Sequence, residues 1–305
     1  MEFIYCSNPI NQTKPDDLYA AEFAVAKNLG MNVSLIDFEA LVEGKDANRA
    51  IGKVAAHNEN TTPAIYRGWM LSPSNYQLLY SALRNRGVEL INNPLGYKHC
   101  HYLPEWYHLL ESQTPASIWM SEKGLSEQPL NNTLEKLSAF GSNPVIVKDY
   151  VKSEKHRWAE ACFIPDASDR TQAERVVQRF LDLRGNNLEG GLVFREFVNF
   201  KALAAHSKSG MPLTKEYRLF VLDGKIIHWF NYWEEGEYGN SAPPLDQFAE
   251  AAKKPKSRFF TMDIAQMFND NWLIVELGDA QVAGLPESAD VGAFYDALYA
   301  GLKSF

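Results

Sequence analysis

The sequence has few cysteines, no long apolar run and no block of basic residues. Its three cysteines, Cys6, Cys100 and Cys162, are odd in number and far apart. That spacing argues against a disulfide framework or a paired-cysteine zinc site, and it favours a reducing compartment. No stretch approaches the roughly eighteen uninterrupted apolar residues of a membrane span, and the first residues lack the pattern of a signal peptide. We therefore expect a soluble, cytoplasmic protein with no membrane partner.

Several signatures of other nucleotide-dependent and nucleic-acid-binding proteins are also missing. The formal net charge is −8 over 305 residues, and no cluster of Lys and Arg forms the footprint of a nucleic-acid binder, so we expect no nucleic-acid partner. Glycine-rich motifs of the P-loop or dinucleotide-binding type are absent, as is the GxSxG elbow of α/β-hydrolases. An acidic protein that binds ATP must therefore concentrate its basic residues locally.

The order of the predicted elements indicates two regions. Hydrophobic residues make up 46% of the chain, which is enough to fill a sizeable core. Strands alternate with helices at the start, which predicts a small α/β domain over residues 1–114. A second domain is predicted over residues 115–305, with one lobe to about 195 and another from about 196, where strands predominate. The clearest predicted helix covers Ser168–Arg184 and ends at a glycine.

A first predicted hairpin carries polar residues on one face. Asp223-Gly224 between two apolar runs is a strong signal for a two-residue turn, because both residues tolerate positive φ. That turn would place Arg218 opposite Trp229 and Glu216 opposite Asn231, all four on one face of the hairpin. A polar cluster on an aromatic-rich hairpin is unlike an ordinary core and indicates a functional surface.

A second predicted hairpin opposes two carboxylates. If its turn centres on Asn269-Asp270, Asp263 lies directly opposite Glu276, and both are embedded in apolar strand. Opposed like charges destabilise a sheet, and half-buried carboxylates need a compensating partner. Mg²⁺ bridged to phosphates would provide one. The alternative is that a nearby Lys or Arg forms a salt bridge with one of the carboxylates.

Basic and polar residues follow a third predicted strand. Lys148 interrupts an apolar run at the strand end, and the polar loop after it includes Ser153 and Lys155. A strand-end Lys suits a phosphate contact because it offers a compact point charge. The alternative for the loop is a solvated, charged surface. Further on, FREFVNF is strand-like with Arg195 and Glu196 inserted; it either presents backbone groups to an adenine or is an edge strand with an exposed ion pair.

Taken in order, these segments resemble the ATP-grasp superfamily. The segments are VIVKDY, REFV, a Glu-Tyr-Arg strand with its DGK hairpin, and VELGDAQVAGLP. Together with YRGWM, they are similar to an ATP-grasp clade common in phage and bacterial genomes. The resemblance covers about Pro144–Pro286. It implies an α+β fold in which two lobes grip ATP, preceded by a small α/β pre-ATP-grasp domain.

The resemblance also implies a set of functional residues, with ATP and Mg²⁺ as cofactors. Lys148 would contact the ATP phosphates, Glu196 to Val198 would line the adenine pocket, and Arg218 would steady the transferred group. Together with candidates suggested by the residues themselves, the complete set is catalytic Arg218, Arg195 and Arg67; cofactor-binding Lys148, Lys98, Ser153, Lys155, Glu196, Phe197 and Val198; and metal-binding Asp263, Glu276 and Asp279.

The chemistry implied by the resemblance is ligation of a carboxylate to an amine through an acyl phosphate. Small-molecule or peptide acids and amines would be the substrates, and the oligomeric state stays open. Alternatives are a small-molecule kinase and a catalytically silent nucleotide-binding regulatory module. The chain departs from many ATP-grasp ligases at Gly278, where they have Asn. Asp279 or Gln281 then supplies the missing oxygen, or the site holds its metals with fewer protein ligands.

Three further candidates lie in the N-terminal region. Arg67 ends a predicted strand next to Gly68, where an Arg suits a substrate carboxylate; the alternative is an ion pair with an acidic side chain. Lys98 either reaches the ATP phosphates or is a surface lysine. The run His99–His101 would place two histidines on one face of a strand, but without a spaced second pair it is a weak zinc signal.

Overall fold

The structure is a computed structural model. It describes residues 1–57, 61–127, 130–205, 207, 212–239 and 242–303. The strands of the described ranges are β1 (Glu2–Cys6), β2 (Asn32–Ile36), β3 (Thr62–Arg67), β4 (Val88–Leu90), β5 (Ser117–Ser121), β6 (Val145–Asp149), β7 (Phe163–Ile164), β8 (Gly191–Glu196), β9 (Ala202–Ala205), β10 (Pro212–Thr214), β11 (Glu216–Leu222), β12 (Lys225–Asn231), β13 (Phe259–Gln266) and β14 (Trp272–Asp279).

Helices cover the faces and edges of these sheets. In the same ranges the α-helices are α1 (Ala20–Asn28), α2 (Phe38–Val42), α3 (Ala47–Ala50), α4 (Pro73–Arg84), α5 (Pro94–His101), α6 (Leu103–Leu110), α7 (Glu122–Glu127), α8 (Leu130–Glu135), α9 (Trp158–Ala161), α10 (Arg170–Arg184), α11 (Leu245–Phe248) and α12 (Val291–Lys303). Among the described residues, none of these helices is both long and apolar enough to span a lipid bilayer.

Three four-stranded sheets organise the chain. The first, which we call the parallel sheet, has the order β2-β1-β3-β4, and all its neighbouring strands run parallel. β1 is buried along its whole length, as expected for a central strand covered on both faces. The central sheet has the order β5-β8-β6-β7, and the C-terminal sheet has the order β12-β11-β13-β14. Both are antiparallel.

Local signals in the sequence explain several element boundaries. α4 begins with Pro73 after Ser72, whose hydroxyl accepts the Asn75 N–H, and α10 is capped in the same way by Asp169. Gly185 ends α10 with φ 44°, a conformation that glycine adopts without steric cost. These boundaries agree with the helices predicted from the sequence.

One helix was not predicted from the sequence. The cluster NNPLG was interpreted as a turn, but Asn93 caps α5 by accepting the Gly96 N–H at 2.8 Å, and Pro94 occupies the first turn. Pro at that position has no hydrogen bond to lose and therefore starts a helix rather than preventing one. As a result His99 and His101 lie on a helix, not on a strand.

The two predicted hairpins both form, with a bulge in each. Asp223 and Gly224 adopt φ 47° and 77°, as the turn signal predicted. A bulge beyond Val221 then shifts the register, so that Arg218 faces Phe230 and not Trp229. The prediction that Trp229 shares a face with Arg218 is therefore wrong, and Trp229 instead packs edge-on against Tyr217 at 5.5 Å.

Asn92 joins the parallel sheet to the C-terminal sheet. Its side-chain amide donates to the Phe259 carbonyl and to Asp279, and its carbonyl accepts the N–H groups of Arg258 and Phe259 at 3.0 Å each. Asn92 is 1% exposed, so every one of these bonds is made away from water. The contact fixes the end of the parallel sheet next to the carboxylates of the C-terminal sheet.

Candidate active site

Two carboxylates face each other in the C-terminal sheet. Asp263 of β13 is paired in register with Glu276 of β14, as predicted from the sequence, and Arg218 of β11 lies on the other side of Asp263. The Arg218 guanidinium donates to both oxygens of Asp263 at 2.8 Å each. Lys148 of β6 donates from Nζ to Glu276 Oε1 at 2.6 Å, although it belongs to the central sheet. Each carboxylate therefore has its own cation, and the second pair joins two sheets.

Burial and these cations act in opposite directions on the acidic groups. Burial raises the pKa of Asp263 above its usual value, and Arg218 opposes that change. Burial alone would raise the pKa of Glu276 as well, but Lys148 and Lys155 outweigh it and lower that pKa. Burial also raises the pKa of the nearby Glu216 to about 8, with Lys155 acting against it. The cluster holds more acidic groups than an apolar sheet normally tolerates.

The carboxylate pair opens into a small cavity, which we call the carboxylate cavity. It has a volume of about 210 Å³ and is lined by Arg218, Asp263, Glu276, Lys152 and His101, among others. It lies where the parallel, central and C-terminal sheets converge. Two anions and two cations on its walls suit a site that exchanges its internal ion pairs for a charged ligand.

A second cavity, which we call the apolar cavity, lies beside it. It has a volume of about 270 Å³, and its lining includes Ile146, Trp158 and the run Glu196–Val198. The Phe197 ring contacts Trp158 and Phe163 at 5.8 and 5.0 Å between ring centroids. Flat aromatic walls with nearby backbone groups suit a planar heterocycle such as adenine.

Basic residues lie between the two cavities. Ser153 and Lys155 line the apolar cavity, and the Lys155 ammonium lies 5.9 and 5.8 Å from the rings of Tyr232 and Trp233. Burial would lower the pKa of Lys155, but Tyr232 and the acidic cluster raise it above its usual value, so the side chain stays charged. Lys148, 6% exposed, forms a β-bridge with Ser153. The predicted phosphate-binding residues thus lie on the path between the two cavities.

Arg67 lies elsewhere, and its position differs from the prediction. The side chain is fully buried, and Nε and Nη2 donate to the two oxygens of Glu22 at 2.8 Å each. The remaining nitrogen, Nη1, donates to the Ala280 carbonyl. Because its donors are used inside the protein and no part of it is exposed, Arg67 cannot meet a substrate carboxylate. The ion pair with an acidic side chain, the alternative considered above, is what forms.

Arg195 also has a structural role in place of the predicted catalytic one. It is 4% exposed, and its guanidinium donates to the Val275 carbonyl at 2.6 Å and to the Thr114 hydroxyl at 2.7 Å. Burial lowers the pKa of Arg195 to about 10, although Glu276 opposes the change. Arg195 borders the apolar cavity, but its donors bind β8 to β14 and so hold the central and C-terminal sheets together.

Asp279 is not positioned as a third metal ligand. Its carboxylate accepts hydrogen bonds from the Asn92 amide and from the backbone and side chain of Gln281. Within the described residues, no three His, Cys, Asp or Glu side chains are grouped as a metal site requires. The candidate metal ligands that face each other are therefore Asp263 and Glu276. The same result removes support for zinc at His99–His101.

Lys98 lies away from both cavities. Its ammonium forms an ion pair with Glu105 at 2.7 Å, and the two side chains are 40% and 42% exposed. It faces a wide groove on the other side of Tyr102 rather than the apolar cavity. This position differs from the predicted contact with the ATP phosphates and matches the surface alternative.

Sequence reasoning did not identify two residues of the carboxylate cavity. Lys152 was considered only as part of a charged loop, and His101 only as a zinc ligand. His101 Nδ1 lies 3.0 Å from the Tyr97 carbonyl, and burial lowers the pKa of His101 to about 4, so the imidazole is neutral at pH 7. Neither residue belongs to a short motif, because each reaches the cavity through the packing of separate units.

Comparisons with known proteins place this geometry in a family. The model of an ATP-grasp domain, the third family of its clade, matches residues 138–298, which are 161 of the 305 residues. A search of curated protein sequences finds no significant match.

Solved structures match over nearly the whole chain. The ATP-grasp ligase PsnB, complexed with minimal precursor, Mg and ADP, is 16% identical with a TM-score of 0.55, over 99% of this chain and 98% of that one. A RimK domain ATP-grasp protein from Sphaerobacter thermophilus is 11% identical with a TM-score of 0.58, over 98% and 100%. D-alanine–D-alanine ligase from Bacillus anthracis, complexed with ATP, is 13% identical with a TM-score of 0.56, over 100% and 98%. At these identities the likeness concerns the fold, and the α+β ATP-grasp fold expected from the sequence is confirmed.

Proposed function

The chain belongs to this family of ATP-grasp domains, and we propose that it is an ATP-dependent ligase that joins a carboxylate to an amine. We also propose that residues 1–114 form the pre-ATP-grasp domain and residues 115–305 the ATP-grasp domain. The proposal is supported by the kind of protein that shares the fold, since two of the solved relatives named above are ligases complexed with ADP or ATP.

One observation carries the proposal most directly. Asp263 and Glu276 are opposed in register, and each is bonded to a cation from a different strand, Arg218 and Lys148. Buried carboxylates in opposition are costly, so a sheet retains them only where a ligand uses them. An arrangement of two anions and two cations can release its internal pairs when a nucleotide phosphate and its metal arrive.

The residues present fit Mg²⁺ and ATP. Asp263 and Glu276 supply the carboxylate oxygens that Mg²⁺ prefers, and two carboxylates are what this ion usually takes from a protein when phosphates complete its shell. We assign both residues to Mg²⁺, which when bound would offset negative charge on the transferring phosphoryl group. The adenine is assigned to the apolar cavity beside Glu196, Phe197 and Val198, and the phosphates to Lys148, Ser153 and Lys155.

The reaction proceeds in two balanced steps. An oxygen of the acid substrate attacks the γ-phosphorus of ATP; an O–P bond forms, the bond to the β–γ bridging oxygen breaks, and ADP leaves. The amine nitrogen then attacks the acyl carbon; a C–N bond forms, the C–O bond to phosphate breaks, and the nitrogen loses a proton. Arg218 lies on the wall of the carboxylate cavity, where its charge can stabilise the transferring phosphoryl group. Enclosure of the cavity protects the acyl phosphate from water.

Trapping of the acyl phosphate tests the proposal. The protein is incubated with Mg-ATP, hydroxylamine and a panel of carboxylic acids, and ADP and hydroxamate are measured together. A ligase yields equal amounts of both with its own acid, a small-molecule kinase yields ADP without hydroxamate, and a nucleotide-binding regulatory module yields neither. Asp263→Asn should remove both products, whereas Asp270→Asn, at an exposed turn of the same hairpin, should leave them unchanged.

A further inference from the structure

A groove lies between the parallel sheet and the central sheet, next to the carboxylate cavity. We call it the basic groove; its volume is about 890 Å³, and its lining includes Lys45, Ser74, Lys98, Lys152 and Arg184. The carboxylate cavity, at about 210 Å³, has room for little more than a reacting group. The groove, in contrast, is as large as the pockets that enclose ligands of several hundred daltons. A substrate that occupied both would be extended rather than compact.

The groove reverses the charge of the molecule. Four cations line it against two carboxylates, Glu122 and Glu189, in a chain whose net charge is −8. Lys45 bonds only to a neutral group, because its Nζ donates to the Asn75 amide oxygen at 2.6 Å. A local excess of positive charge with low-lying walls attracts anionic ligands.

The remaining cations differ in how free they are. Lys98 is paired with Glu105 in a half-exposed ion pair, and such pairs contribute little and exchange readily. Arg184 is committed, since it binds the fully buried Asp149 at 2.8 Å. The charge available to a ligand therefore comes from Lys45, Lys98 and Lys152.

Lys152 connects the groove to the carboxylate cavity, since it lines both. Its backbone is fixed, because Asp149 accepts the N–H groups of Val151 and Lys152 while Arg184 holds the same carboxylate. Its side chain is exposed, and within the described ranges no ion pair or side-chain hydrogen bond holds its ammonium. An uncompensated cation on a rigid turn, between a large groove and the reacting groups, is placed to meet a carboxylate that moves from one to the other.

We propose that the basic groove binds an extended acidic substrate, a peptide segment rich in Asp and Glu, and that Lys152 positions its reacting carboxylate at the carboxylate cavity. This inference rests on the proposed ligase function. It gives the substrate contact first sought at Arg67 to Lys152, and it makes the acid donor a chain with several negative charges rather than a single small acid.

Binding of a defined acidic peptide tests the inference. Fluorescein-labelled hexaglutamate is titrated with the full-length protein in saturating Mg-ADP, which keeps the probe out of the nucleotide site, and anisotropy is recorded. A neutral Gly-Ser hexapeptide and hexalysine serve as control probes, and unlabelled glutamate serves as a competitor. The variants are Lys152→Gln, Lys45→Gln and Lys98→Gln, with Lys152→Arg as the conservative change and Lys27→Gln as an exposed lysine outside the groove.

We expect hexaglutamate to bind and the control probes not to bind. Lys152→Gln should weaken binding about tenfold, since it removes one charge-assisted contact, and Lys152→Arg should restore most of the affinity. Lys45→Gln and Lys98→Gln should each weaken it about threefold, and Lys27→Gln should have no effect.

Three results would overturn the inference: equal binding of the neutral peptide, unchanged affinity in the groove variants, or competition by free glutamate at the same concentration as by hexaglutamate. The last result would assign the site to a small acid. Binding of Mg-ADP is measured separately by thermal shift. Its absence would overturn the proposed function, whereas Mg-ADP binding without hexaglutamate binding would overturn only the present inference.

Discussion

Glu276 and Lys148 form an ion pair of 2.6 Å between the C-terminal sheet and the central sheet. Lys148 is almost completely buried, whereas the Glu276 side chain is 30% exposed and faces the carboxylate cavity. The pair therefore connects the two lobes that are expected to enclose ATP, and its two groups have separate proposed roles once the nucleotide is bound.

Removal of Lys148 should weaken nucleotide binding. In Lys148→Ala, one charge-assisted phosphate contact is lost, which is worth about 1.5–3 kcal/mol, or roughly a tenfold to hundredfold change in the ATP dissociation constant. Isothermal titration with Mg-ADP measures the effect, and Lys201→Ala, at a half-exposed lysine paired with Asp270, is the matched control. Unchanged affinity in Lys148→Ala would assign Lys148 to lobe packing alone.

Neutralising the facing carboxylates should abolish turnover while the fold is kept. Asp263→Asn and Glu276→Gln preserve shape but remove the charge assigned to Mg²⁺, so ADP release should fall by at least about a hundredfold. Circular dichroism and gel filtration check that each variant is folded. Near-full activity in either variant would show that its carboxylate is not a metal ligand.

Mg-ATP should raise the melting temperature more than ATP or Mg²⁺ alone. The metal would relieve the repulsion between Asp263 and Glu276, and a ligand at a hundredfold excess over its dissociation constant stabilises the native state by about 2.7 kcal/mol. Differential scanning fluorimetry with ATP, ATP plus EDTA, Mg-GTP and Mg-ATP compares the conditions. The absence of any shift at millimolar Mg-ATP would contradict nucleotide binding.

Arg67 should be important for stability and not for catalysis. Arg67→Met leaves Glu22 buried without its partner, which should cost about 3–5 kcal/mol of unfolding free energy; urea denaturation measures it. Combining Arg67→Met with Glu22→Leu should recover part of that loss. The affinity for ATP should not change, because Arg67 is fully buried. If Arg67→Met were as stable as the wild type but needed more acid substrate for half-maximal rate, Arg67 would return to the substrate site.

Asp279 should make stability depend on pH. Burial raises the pKa of Asp279 to about 7, above its value near 4 in the unfolded chain. The unfolded state therefore releases this proton first, and the stability contributed by protonated Asp279 is full below about pH 4 and is lost as the pH rises to about 7. Relative to Asp279→Asn, the wild type should lose up to about 4 kcal/mol across this range. A difference between the two proteins that is flat or rises with pH contradicts the assignment.

Much of the fold could be predicted from short-range patterns. The Asp-Gly turn, the capped helix α10 and the apolar strands are local features, since the chemistry of a few neighbouring residues decides them. The opposition of Asp263 and Glu276 could be found in the same way, because a hairpin fixes the register of its own strands. The bulge that moved Trp229 away from Arg218 has no comparable local signal.

The sequence by itself determined the elements, the facing carboxylates and the resemblance to ATP-grasp proteins. Only the tertiary structure decided the partners of the charged groups. Arg67 is buried against Glu22, Arg195 ties β8 to β14, and Lys152 lies between a cavity and a groove. The reason is physical: which cation neutralises a given carboxylate depends on distances between sheets that are remote in sequence, and burial makes the energy of each pairing depend strongly on those distances.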